Sequence, residues 1–295
     1  IIGCEMYVAR RTKGDREKDK GDMSGYHLIV LAKNYNGYKN LIRLVSNSWV
    51  DGYYMRPRTD RADLEKYHED LIVCSACIAG EVPAKILKGD IAGAREACEW
   101  YHNLFGDDYY LELQRHKVPD DPSLLANREA YELQQKANKV LIEFAKEYGI
   151  KLVCTNDCHF EDKETAEAHD HLLCIATGKD LDDPNRMRYS KQEWFKTRQE
   201  MNDVFSDIPE ALSNTLEVLD KVEIYSIDHG PIMPFFPIPE SFGTEEQLRQ
   251  RVSEQDLYKE FTSDENGENQ LPPEEGQKVI DRLGGYDKIY RIKFE

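Results

Sequence analysis

Basic residues are scarce relative to acidic ones in this 295-residue chain: 39 Lys and Arg stand against 56 Asp and Glu, a formal net charge of −17. A chain so acidic is a poor non-specific binder of polyanions, so any main nucleic-acid surface is expected on another segment. No apolar run approaches the roughly 18 residues that a membrane-spanning helix needs. The first residues, Ile1-Ile2-Gly3-Cys4, include no Met and no basic-then-apolar leader, and they read as the middle of a strand. That start is expected of a piece of a longer protein. The seven cysteines are odd in number and dispersed, which favours a reduced, cytoplasmic protein over a disulfide scaffold. The phosphate-cradling G-x-x-x-x-G-K-[ST], the dinucleotide G-x-G-x-x-G and the nucleophile-elbow G-x-S-x-G are all absent, and no internal repeat occurs.

What is present is an alternation of extended and helical patterns. Residues 26–32 (YHLIVLA), 71–77 (LIVCSAC), 108–113 and 151–155 have strand character. Helical spacing runs through 37–50, 81–89, 91–106, roughly 126–148 with a stop at Gly149, 163–177 and 209–221. Such alternation predicts a parallel sheet covered by helices, as a barrel or an open sheet. With 40% hydrophobic residues, the chain can bury one large domain plus an appendage, or two modest domains. The pattern breaks at 230–246, where prolines 231, 234, 237 and 239 predict an extended linker. A helix is expected again over 244–261, then a polar loop or disordered insert over 262–276.

Active groups in α/β folds gather where strands end. Glu5 follows Ile1–Cys4, Cys77 closes 71–77, and Asp157 and His159 close the strand in 151-KLVCTNDCHF-160. On an extended segment an Asp-x-His pair points both side chains one way, because strand side chains alternate with period two. His27 joins them from a fourth strand, but at its start, which fits the rule less well. Carboxylate, imidazole and thiolate together suit zinc or a similar divalent ion, and such ions activate water and clamp a phosphate oxygen. The plainer alternative makes Asp157 a cap, Cys77 a small buried hydrophobe and His27 an ordinary core or surface residue.

Other constellations compete. Cys74-Ser75-Ala76-Cys77 is a C-x-x-C, and Cys154 with Cys158 would complete a four-thiol zinc site, but the first pair sits on opposite faces of a strand. A redox role is less apt, since such motifs open a helix. His169 and His171, two apart on a helix, cannot share a face. One of them is a candidate to orient a neighbouring ligand; for each, a surface or core role is the plainer reading. Arg186, Arg188 and Tyr189 in 183-DPNRMRYS-190 are a candidate phosphate contact or a solvated turn.

Several of these segments, in order, resemble one family. Glu5 in IIGCE, 26-YHLIVLAKNYNGYKNLIRLVS-46, 72-IVCSACIAGEVP-83, 153-VCTNDCHF-160 and 168-AHDHLLCIATGKDLDDPNRMRY-189 are similar to the polymerase-and-histidinol-phosphatase (PHP) region of bacterial replicative DNA polymerase III α subunits. The resemblance runs from residue 1 to about 225, and more weakly through the proline linker. It implies an α/β fold: an incomplete, distorted (β/α)7 PHP barrel over 1–229, an extended linker over 230–243, and a partial helical region over 244–295 that begins the polymerase core. It implies metal ligands at Glu5, His27, Cys77, Asp157 and His159, part of a nine-ligand cluster of zinc, manganese or iron. The family's H-x-H and D-H motifs and its palm carboxylates have no counterpart in this chain. The parent protein is then expected to polymerise DNA with magnesium, while this chain alone does not.

The resemblance further implies a metal-dependent 3′–5′ exonuclease or phosphoesterase, or a structural role. The implied partners are DNA and deoxynucleoside triphosphates through other domains, the sliding clamp and other replisome subunits, and a separate proofreading exonuclease. Two alternatives stay open: a stand-alone phosphoesterase of the histidinol-phosphatase kind, and a non-catalytic scaffold for replication partners. A stand-alone enzyme should end near the barrel, whereas this chain continues through the linker.

Overall fold

Strict alternation in β2 (Tyr26–Ala32) lays down the two faces on which the molecule is built. Tyr26, Leu28, Val30 and Ala32 are buried, while His27, Ile29 and Leu31 between them are half-buried. The computed structural model describes residues 1–16, 25–118, 128–231, 243–264, 267 and 270–294. Among them, β1 (Gly3–Val8), β2, β3 (Arg58–Thr59), β4 (Leu71–Cys74), β5 (Tyr109–Gln114) and β6 (Lys151–Thr155) form one sheet in the order β3-β1-β2-β4-β5-β6.

The expectation of a parallel sheet holds for β4, β5 and β6 and for β1 with β3. It fails for β2, which runs antiparallel to β1 and to β4. A parallel neighbour requires a crossover, usually helical, and none is seen among the described residues between β1 and β2. The reversal explains why His27 stands at the start of its strand. The beginning of β2 lies at the same edge as the ends of β1, β4, β5 and β6.

One face of the sheet meets the main helices. Met6, Val8, Leu28, Val30, Leu71, Val73, Leu111, Leu113 and Leu152 pack with Leu41 and Leu44 of α1 (Tyr35–Val50). The same cluster takes in Tyr101 of α4 (Ile91–Phe105) and Leu141 and Phe144 of α5 (Glu129–Tyr148). Each fully buried leucine or phenylalanine contributes about 1.5–3 kcal/mol. The helices begin and end where local chemistry dictates. Asn34 caps α1 by accepting from Gly37 N at 3.0 Å, and α5 stops at Gly149, whose φ of +69° suits a residue without Cβ.

The opposite face is apolar at one end only. Ile72, Cys74, Tyr110 and Val153 pack with Val218 of α8 (Pro209–Asp220). Toward the far ends of β5 and β6, alternation puts Glu112, Gln114 and Thr155 on this face, where Glu112 and Gln114 are buried. Buried polar groups at one edge of a sheet mark where chemistry is done rather than where packing is done.

The remaining helices include short α2 (Arg61–Tyr67), α3 (Glu81–Leu87), α6 (Ala166–Thr177) and α7 (Arg198–Val204), of which α2 and α7, like β3, go beyond the sequence expectations. Contacts divide the chain into Ile1–Ile227 and Asp228–Glu295. In the second unit the single helix expected over 244–261 is two, α9 (Glu245–Arg251) and α10 (Glu254–Thr262). Val252 turns extended and Ser253 caps the second, its hydroxyl accepting from Asp256 N. The loop expected over 262–276 gives way at Pro273 to α11 (Pro273–Arg282), proline being suited to a helix's first turn. With α12 (Tyr286–Phe294), these helices share a small core of Leu257, Ile280, Ile289 and Tyr290. Residues 232–242 of the expected linker and 126–127 of the expected helix lie outside the described residues. No helix among the described residues is long and apolar enough to cross a membrane.

Candidate metal centre

Register places Glu5 and His27 on one face of the β1–β2 pair, one diagonal step apart. Glu5 Oε1 lies 2.5 Å from His27 Nδ1. Cys77 Sγ approaches the same nitrogen at 3.6 Å. The cysteine is delivered by the loop between β4 and α3, which is laced to the sheet edge. His27 N donates to Ala79 O at 3.1 Å, Gly80 N to Cys77 O at 2.8 Å, and Ser75 N to Tyr110 O at 3.0 Å. Ala76 in this loop adopts φ +61°, a left-handed conformation that costs a residue with a Cβ about 1–2 kcal/mol.

The second half of the site leaves the end of β6. The strand stops at Thr155, and Asp157 adopts φ +45°, so strand alternation is not what aims Asp157 and His159. A turn does it instead. Asn156 donates its amide to Gln192 O and Trp194 O, at 3.0 and 2.7 Å, and His159 N donates to Glu193 O at 2.8 Å. His159 Nδ1 donates to Asp157 O at 2.6 Å, and Tyr189 OH donates to His159 Nε2 at 3.0 Å. His169 completes an aromatic corner, its ring 5.8 Å from that of His159 and 5.2 Å from that of Tyr189.

Strand ends thus describe the site only in part. Glu5 lies within β1 rather than after it, and Cys77 stands three residues beyond β4, which is shorter than 71–77.

The electrostatics tie the two halves together. His27 is pushed up to about 10 by its hydrogen bonds to Cys77 and then Glu5, and Glu5 is held low by His27, with a further contribution from the charge of His159. Burial raises Asp157, and the negative charge of Glu5 raises it further. Burial, then the charge of Asp157, pushes Tyr189 up to about 12, so its hydroxyl keeps its proton as a donor. Burial and the neighbouring His159 lower His169.

Does this donor set fit a divalent cation? Two carboxylates, two imidazoles and a thiol converge on one sheet edge, and a proton on His27 holds the charge that a cation would hold. Buried oxygens of Glu112 (Oε2), Gln114 (Oε1) and Asn156 (Oδ1) near this edge have no hydrogen-bond partner among the described residues. The chemistry fits. The side chains are drawn together by hydrogen bonds, and among the described residues no three His, Cys, Asp or Glu are splayed as ligands.

The competing constellations separate. Cys74 and Cys154 are buried in apolar clusters on opposite faces of the sheet, and Cys158 is exposed, its thiol donating to Trp194 O at 3.5 Å. The four-thiol site does not form. His171 Nδ1 lies 2.7 Å from Glu167 O on its own helix, whereas His169 reaches the site. Arg186 is committed to a bidentate pair with Asp170, at 2.6 and 2.7 Å, and Arg188 donates to Pro184 O and Asp183 O, so neither is presented to a ligand.

Sequence reasoning overlooked the buried groups behind the site. Glu112 accepts from Thr155 and Gln114, and burial raises its carboxyl. His116 Nε2 donates to Asn156 O at 3.0 Å, and Gln134 Nε2 donates to His116 Nδ1 at 3.0 Å, with Glu193 Oε1 3.3 Å away. That pairing assigns the neutral imidazole, which burial also favours. A lone polar residue inside an apolar strand, such as Glu112 in YYLELQ, was the available signal.

The sheet edge, with its carboxylate, imidazole and thiol donors, defines a class that sequence comparison also finds: residues 1–116 match the PHP domain, so the chain carries one. That match contains Glu5, His27 and Cys77 but not Asp157 or His159. The longer matches are to DNA polymerase III subunits alpha, to which the chain is similar over most of its own length. The protein of Borreliella burgdorferi is 40% identical over 268 residues, 89% of this chain and 22% of the relative. Those of Treponema pallidum and Thermus aquaticus are 36% and 37% identical, covering 88% and 85% of this chain and 21% and 20% of theirs. The chain therefore spans about a fifth of the length of the curated relatives it matches.

Proposed function

We propose that this chain is the PHP region of a replicative DNA polymerase α subunit, and that Glu5, His27, Cys77, Asp157 and His159 hold divalent metal for 3′–5′ phosphoester hydrolysis. The observation that supports this is the convergence of Glu5 and Cys77 on His27 Nδ1, with Asp157 and His159 within electrostatic range. Zinc, manganese or iron suits the mixed oxygen, nitrogen and sulfur donors. A bound cation would neutralise a phosphoryl oxygen and acidify a water.

The chain's own residues prepare the site for that. His159 is oriented by its Nδ1–H bond to Asp157 O, which leaves Nε2 as its free-electron-pair face. Tyr189 holds that face by donation and would release it to a stronger partner. The turn at Asn156 keeps Asp157 beside Glu5 rather than along the strand. The parent protein would copy DNA from deoxynucleoside triphosphates with magnesium, in the cytoplasm. Its partners would be the sliding clamp and other replisome subunits, with a separate proofreading exonuclease among them.

A scaffold role is the second reading, favoured by one observation: the hydrogen bonds about His27 satisfy Glu5 and Cys77 without a metal. A stand-alone phosphatase is less apt, since a second folded unit follows residue 227. Elemental analysis of the chain purified with zinc, manganese or iron separates the first two. Bound metal lost in Asp157→Asn/His159→Ala, together with chelator-sensitive trimming of a 3′-labelled single strand, supports the metal reading. Metal content unchanged in that variant overturns the ligand assignment, and none in either form favours the scaffold.

A further inference from the structure

A cavity of about 440 Å³ is lined by Cys154 of β6 and by residues that follow the loop tethering Asp157 and His159. Its rim carries Lys196 and Arg198, and its walls are Met201 and Asn202 of α7 with Pro209, Leu212 and Leu216 of α8. The spacing is helical on both sides: 198, 201 and 202 share one face of α7, and 209, 212 and 216 share one face of α8. Lys196 is half-buried. Its ammonium sits 3.5 Å from the centre of the Trp194 ring and donates to Gln192 O, with no carboxylate in ion-pair range among the described residues. Arg198 is exposed and makes no ion pair or hydrogen bond among the described residues.

The carboxylates nearest Lys196 are engaged elsewhere. Glu193 accepts from Ser190 and Gln192, and Glu200 from Thr197 and Trp194. In a chain of net charge −17, Lys196 and Arg198 thus bring two cations, neither in an ion pair among the described residues, to the lining of one cavity with apolar walls. Burial lowers Lys196 to about 8 against the opposing charges of Glu193 and Glu200, and an anion bound beside it would favour the ammonium further.

We propose that this cavity binds a nucleotide phosphate, with Lys196 and Arg198 on the phosphate oxygens and the Met201–Leu212–Leu216 wall against the sugar and base. The inference deepens the proposed phosphoester chemistry, since the carbonyl of Trp194 holds Asn156 and Cys158 on one side of the loop while Lys196 packs on its ring. The cavity lies within the range of small-ligand sites, roughly 300–1,000 Å³.

The test titrates the intact chain with inorganic phosphate, thymidine 5′-monophosphate and a fluorescein-labelled (dT)8, reading both Trp194 emission and anisotropy. Trp194→Phe identifies the Trp194 signal over that of the other tryptophans. Binding of the nucleotide or the strand should weaken about tenfold or more in Lys196→Gln/Arg198→Gln, the loss expected for charge-assisted bonds. It should persist in Lys196→Arg/Arg198→Lys and in Asp157→Asn/His159→Ala. A preference for (dT)8 over the monophosphate assigns a strand; equal binding assigns a free nucleotide. No binding by the wild-type chain, unchanged binding in the Gln variant, or inorganic phosphate binding as tightly as the nucleotide would each overturn the proposal. Because Asp157→Asn/His159→Ala removes the metal site alone, cavity binding and metal binding fail or survive separately.

Discussion

Replacing Gly80 by alanine should damage the candidate site from a distance. Gly80 sits at φ −63°, an ordinary conformation, so no backbone strain is at stake. The obstacle is space: a Cβ there would lie 2.0 Å from Ser75 O and 3.2 Å from Cys77 O, both backbone atoms. Neither can rotate aside, because Ser75 N is tied to Tyr110 O and Cys77 O accepts from Gly80 N. Overpacking costs about 1–3 kcal/mol, and a collision with backbone belongs at the upper end, near 3 kcal/mol. For a unit of this size, that is a melting-temperature loss on the order of 6–12 °C.

Gly89→Ala supplies the comparison. It has open space around its Cβ but φ +80°, so only conformational strain of about 1–2 kcal/mol applies. Thermal unfolding followed by circular dichroism should rank the two, with Gly80→Ala lower. Only Gly80→Ala should also weaken zinc uptake, because relief of the clash moves Cys77 away from His27. A Gly80→Ala chain that melts within a degree of wild type, with metal uptake unchanged, would refute the argument that close approach fixes this loop.

Further outcomes follow from the buried polar groups. The folded Glu112 carboxyl is raised by burial, so the folded state binds the extra proton, and stability falls as pH rises from the ordinary carboxyl value through the raised one. Glu112→Gln removes that slope, and its gain over wild type should grow from pH 4 to pH 7, reaching on the order of 1 kcal/mol in urea titrations; parallel curves at all pH values would contradict the burial account. His116→Ala leaves Gln134 Nε2 and Asn156 O without their partner in the interior and should cost about 3 kcal/mol, with metal affinity reduced because the Asn156 turn loosens. Asn156→Ala should spare the sheet but mobilise Asp157 and His159, seen as lost metal uptake with less than about 2 kcal/mol change in unfolding free energy. An equal loss of both would make Asn156 a general stability residue.

Much of this was legible before any coordinates. The alternation YHLIVLA announces a half-buried strand, and the helical spacing of 91–106 and the stop at Gly149 reappear as α4 and α5. These are local signals, set by side-chain period and by glycine's access to positive φ. The residue types of the candidate site were legible too, because Glu, His, Cys and Asp near strand ends are chemically costly unless used.

Other features were settled only in three dimensions. Direction is not written in a strand's alternation, so the reversal of β2 that brings His27 to the edge had to come from its pairing with β1 and β4. The same is true of Glu112, which accepts from Thr155 43 residues on, and of His116, whose partners Gln134 and Glu193 lie 18 and 77 residues away. Asp157 shows the division most plainly. The sequence by itself named the residue and its chemistry. Only the folded chain, through Asn156 clamped to carbonyls 36 and 38 residues further on, decided where it points. Side-chain chemistry is a property of one residue, whereas orientation is a property of everything packed against it.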